Sequence, residues 1–196
     1  LPQTPAFTAG NADITFNLNS RRLNKTLSWT QPSAQAWVLP DAARPGNVYV
    51  VAADDPTNTS HGPGFDDVNV YIARSTNFGQ TWEAPLRVDA GPDETTQFFP
   101  TAGIDPQSGF LTVIWYDSRR GAVNGNNNFL LDLFARSSLD GGLTFLPEVQ
   151  VNDSPFDPDL GAPERGNGRL RIGDYNGVAV LNGNAYVAWA GNKEIC

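Results

Sequence analysis

Two octapeptides of one pattern constrain the fold of this chain more than any other feature. Residues 75–82 read Ser-Thr-Asn-Phe-Gly-Gln-Thr-Trp, and residues 138–145, at an offset of 63 residues, read Ser-Leu-Asp-Gly-Gly-Leu-Thr-Phe. An apolar segment that ends in Ala-Arg-Ser leads into each, and a second apolar segment that ends in Val follows each. Self-similarity at a fixed spacing is typical of repeat architectures. We therefore expect a chain of repeated units.

The segments between these turns predict β-strands. Short apolar runs rich in Val, Ile, Tyr, Phe and Trp lie between clusters of Gly, Pro, Asn and Asp, which is the pattern of strands and turns. The runs are 47–53, 68–74, 110–116, 129–136 and 185–189. No stretch of about 11 residues free of Gly and Pro carries the apolar spacing of a helix. We expect almost no helix, and only Ser33–Arg44 could hold a helical turn.

The residues of the octapeptide suit a tight turn. Gly supplies a positive φ, Asp or Asn bonds to its own turn backbone, and Ser and Thr hydroxyls satisfy the remaining turn groups. The pattern resembles the Asp-box (BNR) repeat of sialidase-like β-propellers, with Asn77 in place of Asp and Phe145 in place of Trp. In that family the motif is a turn device, so we expect a structural role. The matching residues are Ser75, Asn77, Gly79, Thr81, Trp82, Ser138, Asp140, Gly142, Thr144 and Phe145.

The resemblance implies an all-β fold of propeller blades, each with four antiparallel strands. Gly183–Gly191 resembles Gly109–Asp117, which indicates a third copy in which Trp189 falls on Trp115. We expect about three blades: 1–35 a lead-in or a strand donated to another blade, 36–98 and 99–171 two full blades, and 172–196 half of a third. A closed propeller needs about 4 to 8 blades. Further blades from the same polypeptide or from copies of it are therefore expected. The absence of Met indicates an excerpt or a processed product.

Strand order places the long loops on one face. If strands a to d run outward from the channel, the octapeptide joins c to d and lies on the same face as the a–b turn. The b–c and d–a loops then share the opposite face, called here the mouth-side face, where propellers usually bind ligands. These loops are 54–67, 117–132, 89–98 and 152–171.

The resemblance also implies candidate site residues on this face. Sialidases of this family use a Tyr nucleophile, an exception among glycosidases, together with Glu, an Asp acid/base and three Arg that bind a carboxylate. The corresponding catalytic candidates are Tyr175, Glu164 and Asp174, and the substrate-binding candidates are Arg119, Arg120, Arg165, Arg169 and Arg171. The family's Arg-Ile-Pro string is absent. The structural alternative is a turn ion pair between Asp117 and Arg119 and a packing role for Tyr175.

Composition excludes several classes of function. The 13 Lys and Arg against 21 Asp and Glu, a net charge of −8, argue against nucleic-acid and anionic-membrane partners. No apolar run approaches the roughly 20 residues of a membrane span. The single His61 excludes a His-based zinc site and a Ser-His triad. No cofactor and no metal are predicted, although the Asp-rich loops could hold Ca²⁺ through oxygen ligands without EF-hand spacing.

Three interpretations of function remain open. The first is a non-catalytic module that binds a glycan or protein ligand or takes part in surface assembly. The alternative is an exo-acting, sialidase-like glycoside hydrolase with its site at the channel mouth. The third is a structural repeat of a large surface protein that is linked through Cys196, which can pair only between chains. The few Lys residues and the three Asn-x-Ser/Thr sequons indicate an extracellular or cell-surface protein.

Overall fold

The computed structural model describes residues 36–54, 68–92, 95–123, 125, 129–158, 160 and 175–191. Ten strands and no helix lie within these ranges. The strands are β1 (Trp37–Pro40), β2 (Val48–Asp54), β3 (Asn69–Ser75), β4 (Leu86–Arg87), β5 (Gln97–Ile104), β6 (Leu111–Asp117), β7 (Asp132–Ser138), β8 (Val149–Gln150), β9 (Gly177–Leu181) and β10 (Asn184–Ala188). In the described part of the chain, nothing resembles a helix that could cross a membrane.

The strands form two complete propeller blades and part of a third. Strands β1 to β4 make the first four-stranded sheet, β5 to β8 make the second, and β9 pairs with β10 in a two-stranded third unit. All pairs are antiparallel, and the repeat offset holds in the register: Val48 faces Ser75 in the first blade, and Leu111 faces Ser138 in the second. The expectation of an all-β fold of four-stranded antiparallel blades is confirmed.

The interpretation of Ser33–Arg44 as a helical turn is wrong where the segment is described. Trp37–Pro40 is a strand, and residues 41–47 form a tight turn in which Asp41 accepts hydrogen bonds from the N–H groups of Ala43 and Arg44, both at 3.0 Å. Trp37 and Leu39 pack on the core, whereas the intervening Val38 is exposed. This alternation of burial favours a strand over local helix propensity.

One apolar cluster lies between the first two blades and another lies within the second blade. The first cluster joins Val51 and Ile72 of the first blade to Val113 and Trp115 of the second. The other contains Phe98, Tyr116, Leu131, Leu133 and Phe156. The second blade approaches the third unit so closely that a Cβ added to Gly103 would lie 2.9 Å from the Val178 carbonyl oxygen. Face-to-face packing of successive sheets therefore stabilises the array.

The two octapeptide turns have the same hydrogen-bond plan. Ser75 Oγ accepts from Gly79 N at 2.9 Å, and Ser138 Oγ accepts from Gly142 N at 2.8 Å. The next polar residue is Asn77 or Asp140, and its Oδ1 accepts the N–H four residues ahead at 2.9 Å in both turns. In the first turn Asn77 Nδ2 donates to Thr81 Oγ1, and in the second the Thr144 hydroxyl donates to Asp140. The turn therefore folds with either residue.

Asp140 gives the second turn a pH dependence that the first lacks. The Thr144 hydroxyl and N–H hold the pKa of the Asp140 carboxyl at about 2, below its usual 3.8. A lowered folded-state pKa means that the stabilisation is present above 3.8 and is lost as the pH falls towards 2. We expect Asp140→Asn, which imitates Asn77, to flatten the fall in unfolding free energy over this interval. Urea denaturation at a series of pH values measures it, and an unchanged slope would contradict the assignment.

The face assignment of the loops is also confirmed. The N–H of Phe78 in the first octapeptide turn donates to Gly46 O in the β1–β2 turn at 2.8 Å. On the opposite face, Gln97 N donates to Val68 O at 2.8 Å and Ser118 N donates to Thr96 O at 3.1 Å. The b–c and d–a loops therefore touch each other, as the strand order requires.

Candidate functional site

The described part of the mouth-side face is built from the ends of the strands and the loops that follow them. Strand β6 ends at Asp117, and a turn carries Arg119 and Arg120. Asp89 follows the outermost strand of the first blade, and Asn152 follows that of the second. Their equivalence is structural, because Asp89 accepts the N–H of Val70 at 2.8 Å and Asn152 accepts that of Leu133 at 2.7 Å.

Arg119 lies at the centre of a network called here the Arg119 cluster, which comprises Asp117, Arg119, Phe134 and Glu148. The guanidinium donates to Asp117 Oδ2 at 2.6 Å and to Glu148 Oε2 at 2.7 Å. Its Cζ lies 4.0 Å from the centroid of the Phe134 ring. The Asp117 side chain is fully buried and that of Arg119 is 21% exposed. The guanidinium is therefore held by internal carboxylates and an aromatic ring.

The Arg119 cluster also joins the first two blades. Glu148 accepts the N–H of Ala90 from the first blade. Burial works to lower the pKa of Arg119, but the hydrogen bonds and charges of Asp117 and Glu148 outweigh it and raise the pKa above its usual value. Arg119 thus stays charged at every accessible pH. The ion pair between Asp117 and Arg119, the structural alternative drawn from the sequence, is present.

Arg120 is engaged in a second ion pair. Its Nε donates to Asp132 Oδ2 at 3.0 Å, and its Nη2 donates to Asp132 Oδ1 at 3.1 Å. Asp132 also accepts hydrogen bonds from the amides of Gln150 and Asn152. The Arg120 side chain is 39% exposed, so part of it still faces solvent.

Tyr175 lies just before β9, at the mouth-side end of the third unit, and is 76% exposed. The Oη atom of Tyr116 lies 2.6 Å from Ala190 O and 2.9 Å from Oδ1 of Asn176, the neighbour of Tyr175, and its single proton is shared between these two acceptors. Burial raises the pKa of the Tyr116 hydroxyl well above its usual value. Tyr116 therefore ties the second blade to the third unit, while the ring of Tyr175 is open to solvent.

The remaining candidates lie outside the described residues. These are Glu164 and Asp174 among the catalytic candidates and Arg165, Arg169 and Arg171 among the substrate-binding ones. Asp55, Asp66, Asp67 and Asp159 of the suggested Ca²⁺ loops are also outside them. In the ranges that are described, no group of three or more His, Cys, Asp or Glu side chains could hold a metal ion.

A cleft of about 340 Å³ opens between the second blade and the third unit. Residues 151–154 form one wall, and Phe156, Trp189 and Gly191 form the rest. Trp189 is 37% exposed. No described residue makes an ion pair or hydrogen bond to the carboxylate of Asp153. The cleft therefore combines an accessible indole with a negative charge on the mouth-side face.

Three members of this surface were not singled out from the sequence. The repeat pattern does not single out Glu148, because the first repeat has Pro85 at the equivalent position. Phe134 lies in an apolar strand like any core residue, and its contact with Arg119 depends on the packing. The repeat identifies Trp189 only as the counterpart of Trp115. That Trp189 is partly exposed while Trp115 is fully buried is visible only in the structure.

The comparisons with known proteins are remote. No family model and no curated protein matches the chain. Among the solved structures, it is similar to a Hadza microbial sialidase at 17% identity with a TM-score of 0.46, over 59% of this chain and 25% of that one. It is also similar to the GH93 α-L-arabinofuranosidase of Fusarium graminearum in complex with arabinobiose, at 10% identity with a TM-score of 0.46, over 74% of this chain and 34% of that one. The chain spans a quarter and about a third of their lengths.

Proposed function

We propose that this chain is part of an extracellular, Asp-box type β-propeller and acts as a non-catalytic binding module. Its ligand, a protein or a glycan, is held on the mouth-side face. Further blades, from the same polypeptide or from copies, complete the ring around that face. The observation that carries the proposal is the open cleft beside Trp189 and Asp153, on the same face where both described candidate arginines are ion-paired with Asp or Glu.

The arginines support binding over catalysis. A sialidase needs guanidinium groups that point at the substrate carboxylate with a free fork of donors. The guanidinium of Arg119 donates to Asp117 and Glu148, and that of Arg120 donates to Asp132. Releasing Arg119 would leave buried carboxylates without a partner, which is strongly unfavourable. In this proposal the two arginine side chains therefore stabilise the fold and do not bind substrate.

The cleft supports the location of the ligand. Binding sites are concave and largely apolar, with a few polar groups that fix orientation. Trp189 and Phe156 supply the apolar walls, and Asp153 and Ser154 supply exposed polar groups. The loops at this end of the blades are also the ones that propellers commonly use for ligands.

One observation favours the alternative, an exo-acting glycoside hydrolase. Tyr175 is the most exposed tyrosine described and lies at the mouth-side end of the third unit, where a nucleophile would be accessible. Its partners in such a mechanism, Glu164 and Asp174, would have to come from the adjoining loop. This alternative predicts turnover of a fluorogenic sialoside that Tyr175→Phe abolishes.

A pair of binding arrays tests the proposal. The labelled chain is applied to a printed oligosaccharide array and to a tiled peptide array. We expect binding on at least one array that Trp189→Ala reduces at least tenfold, because the indole forms a wall of the cleft. Tyr186→Ala is the control, since Tyr186 is an exposed aromatic residue on β10, which ends one residue before Trp189, and it does not line the cleft.

Two outcomes would contradict the binding module. The first is an absence of binding on both arrays. The second is hydrolysis of the fluorogenic sialoside that is lost in Tyr175→Phe while the variant keeps the wild-type unfolding curve. The second result would establish the hydrolase instead.

A further inference from the structure

The cleft occupies the place that Arg119 fills one blade earlier. The wall formed by residues 151–154 corresponds, at the 63-residue offset, to residues 88–91. Trp189 and Gly191 correspond to Trp115 and Asp117 in the third copy of the repeat. Both copies begin with a turn glycine of positive φ, Gly109 at 70° and Gly183 at 74°. Two successive interfaces therefore place equivalent positions of the repeat around a pocket.

In the first interface the pocket holds a guanidinium. A Cβ added to Gly91 would lie 3.3 Å from Arg119 Nη2, so the cation sits directly against that wall. It stacks on Phe134 and pairs with Asp117, whose Oδ2 also accepts a hydrogen bond from Trp115 Nε1 at 3.2 Å. Aromatic stacking and a carboxylate are the two features by which proteins select guanidinium groups.

The cleft keeps both features with different residues. The indole of Trp189 and the ring of Phe156 are the aromatic surfaces, and Trp is the best ring for a cation. Asp153 stands where the first interface has Ala90, so a carboxylate is present although Gly191 replaces Asp117. The chain's net charge of −8 adds to the attraction of a cation.

We infer that the cleft binds the guanidinium of an arginine side chain carried by a partner polypeptide. The inference rests on the proposed binding function and names its ligand class. The guanidinium stacks on Trp189 and pairs with Asp153, as Arg119 stacks on Phe134 and pairs with Asp117. An anionic sugar is disfavoured, because Asp153 would face its carboxylate.

Calorimetric titration with N-acetyl-arginine amide tests the inference on the full chain. We expect binding at least about tenfold tighter than that of the neutral isostere N-acetyl-citrulline amide. Asp153→Asn should weaken it by about tenfold, because it removes the charge and keeps the shape. Glu83→Gln is the control: it also removes one negative charge, but Glu83 is an exposed residue of the first blade that pairs with Arg74 and does not line the cleft, so the affinity should stay unchanged. The Trp189 indole N–H signal, assigned with Trp189→Phe, should shift on binding.

Several results would overturn the inference. Equal affinity for the citrulline amide would show that charge is not recognised. Lys193 stands at the position of Arg119 in the third copy of the repeat. If Lys193→Ala bound the arginine amide several-fold more tightly, the lysine would be competing for the cleft, and the cleft would be assigned to this cation of the chain itself. No binding of the arginine amide, together with binding on an array that Trp189→Ala abolishes, would overturn the ligand class and leave the binding function standing. Failure on the arrays as well would overturn both.

Discussion

Replacing Arg119 with alanine is expected to lower the free energy of unfolding by about 3–5 kcal/mol, the usual cost of removing one partner from a buried ion pair. The Asp117 side chain is fully buried and that of Glu148 is 12% exposed, so both carboxylates would lose their cation in a poorly solvated place. The stacking on Phe134 would be lost with the guanidinium. Urea denaturation followed by circular dichroism measures the change.

Arg120→Ala is the matched control for this prediction. The two arginines are neighbours in one turn and each pairs with an aspartate, but Asp132 keeps the amide donors of Gln150 and Asn152 when Arg120 is removed. We expect a loss of about 1 kcal/mol, as for a partly exposed pair. Losses of similar size in the two variants would contradict a special role for the Arg119 cluster. A stable Arg119→Ala that no longer binds ligand would instead assign Arg119 to the binding site.

Arg119→Lys sharpens the comparison. Lysine keeps the positive charge but has no planar fork that can reach two carboxylates while stacked on a ring. We therefore expect it to recover less than half of the stability lost in the alanine variant. Full recovery would mean that charge alone, without the fork and the stacking, accounts for the cluster.

The blades could be predicted from the sequence because their signals are local. The turn chemistry of Ser75 and Ser138 lies within eight residues, and β2 and β6 are short, mostly apolar runs between turns, as expected of strands that are buried along nearly their whole length. The offset of 63 then transfers the register from one blade to the next. The prediction of a helical turn within Ser33–Arg44 is wrong over residues 36–44, which the structure describes, because Trp37 and Leu39 pack on a cluster shared with the second blade that the local pattern does not reveal.

The candidate site was predicted only in part, because its decisive contacts are long-range. Arg119 was selected as a substrate-binding residue, but its role depends on Glu148, 29 residues away, and on the Ala90 N–H of another blade. No pattern in the sequence joins these positions. The mouth-side face, by contrast, could be predicted from strand order alone, since the two ends of every strand lie on opposite faces of the array.

The second large effect concerns the pair of tryptophans that the repeat superimposes. Trp115 is fully buried, stacks on Phe134 with ring centroids 6.5 Å apart and donates to Asp117, so Trp115→Ala should cost about 3–5 kcal/mol of unfolding free energy. Trp189→Ala should cost about half of that or less, because a partly exposed side chain leaves an open groove that water fills. Urea denaturation of both variants measures the difference.

The comparison of these two variants also decides whether the cleft is open in solution. If Trp189→Ala costs as much as Trp115→Ala, protein must cover the indole as Phe134 covers Trp115, and neither an arginine side chain nor a glycan could reach it. A small loss, with the indole of Trp189 quenched by iodide in the folded chain, would establish an accessible aromatic wall. Trp115→Phe should recover part of the unfolding free energy lost in Trp115→Ala, because a phenyl ring refills part of the core. Trp189→Phe should keep an aromatic surface for the ligand. The two phenylalanine variants therefore separate packing in the first interface from ligand contact in the second.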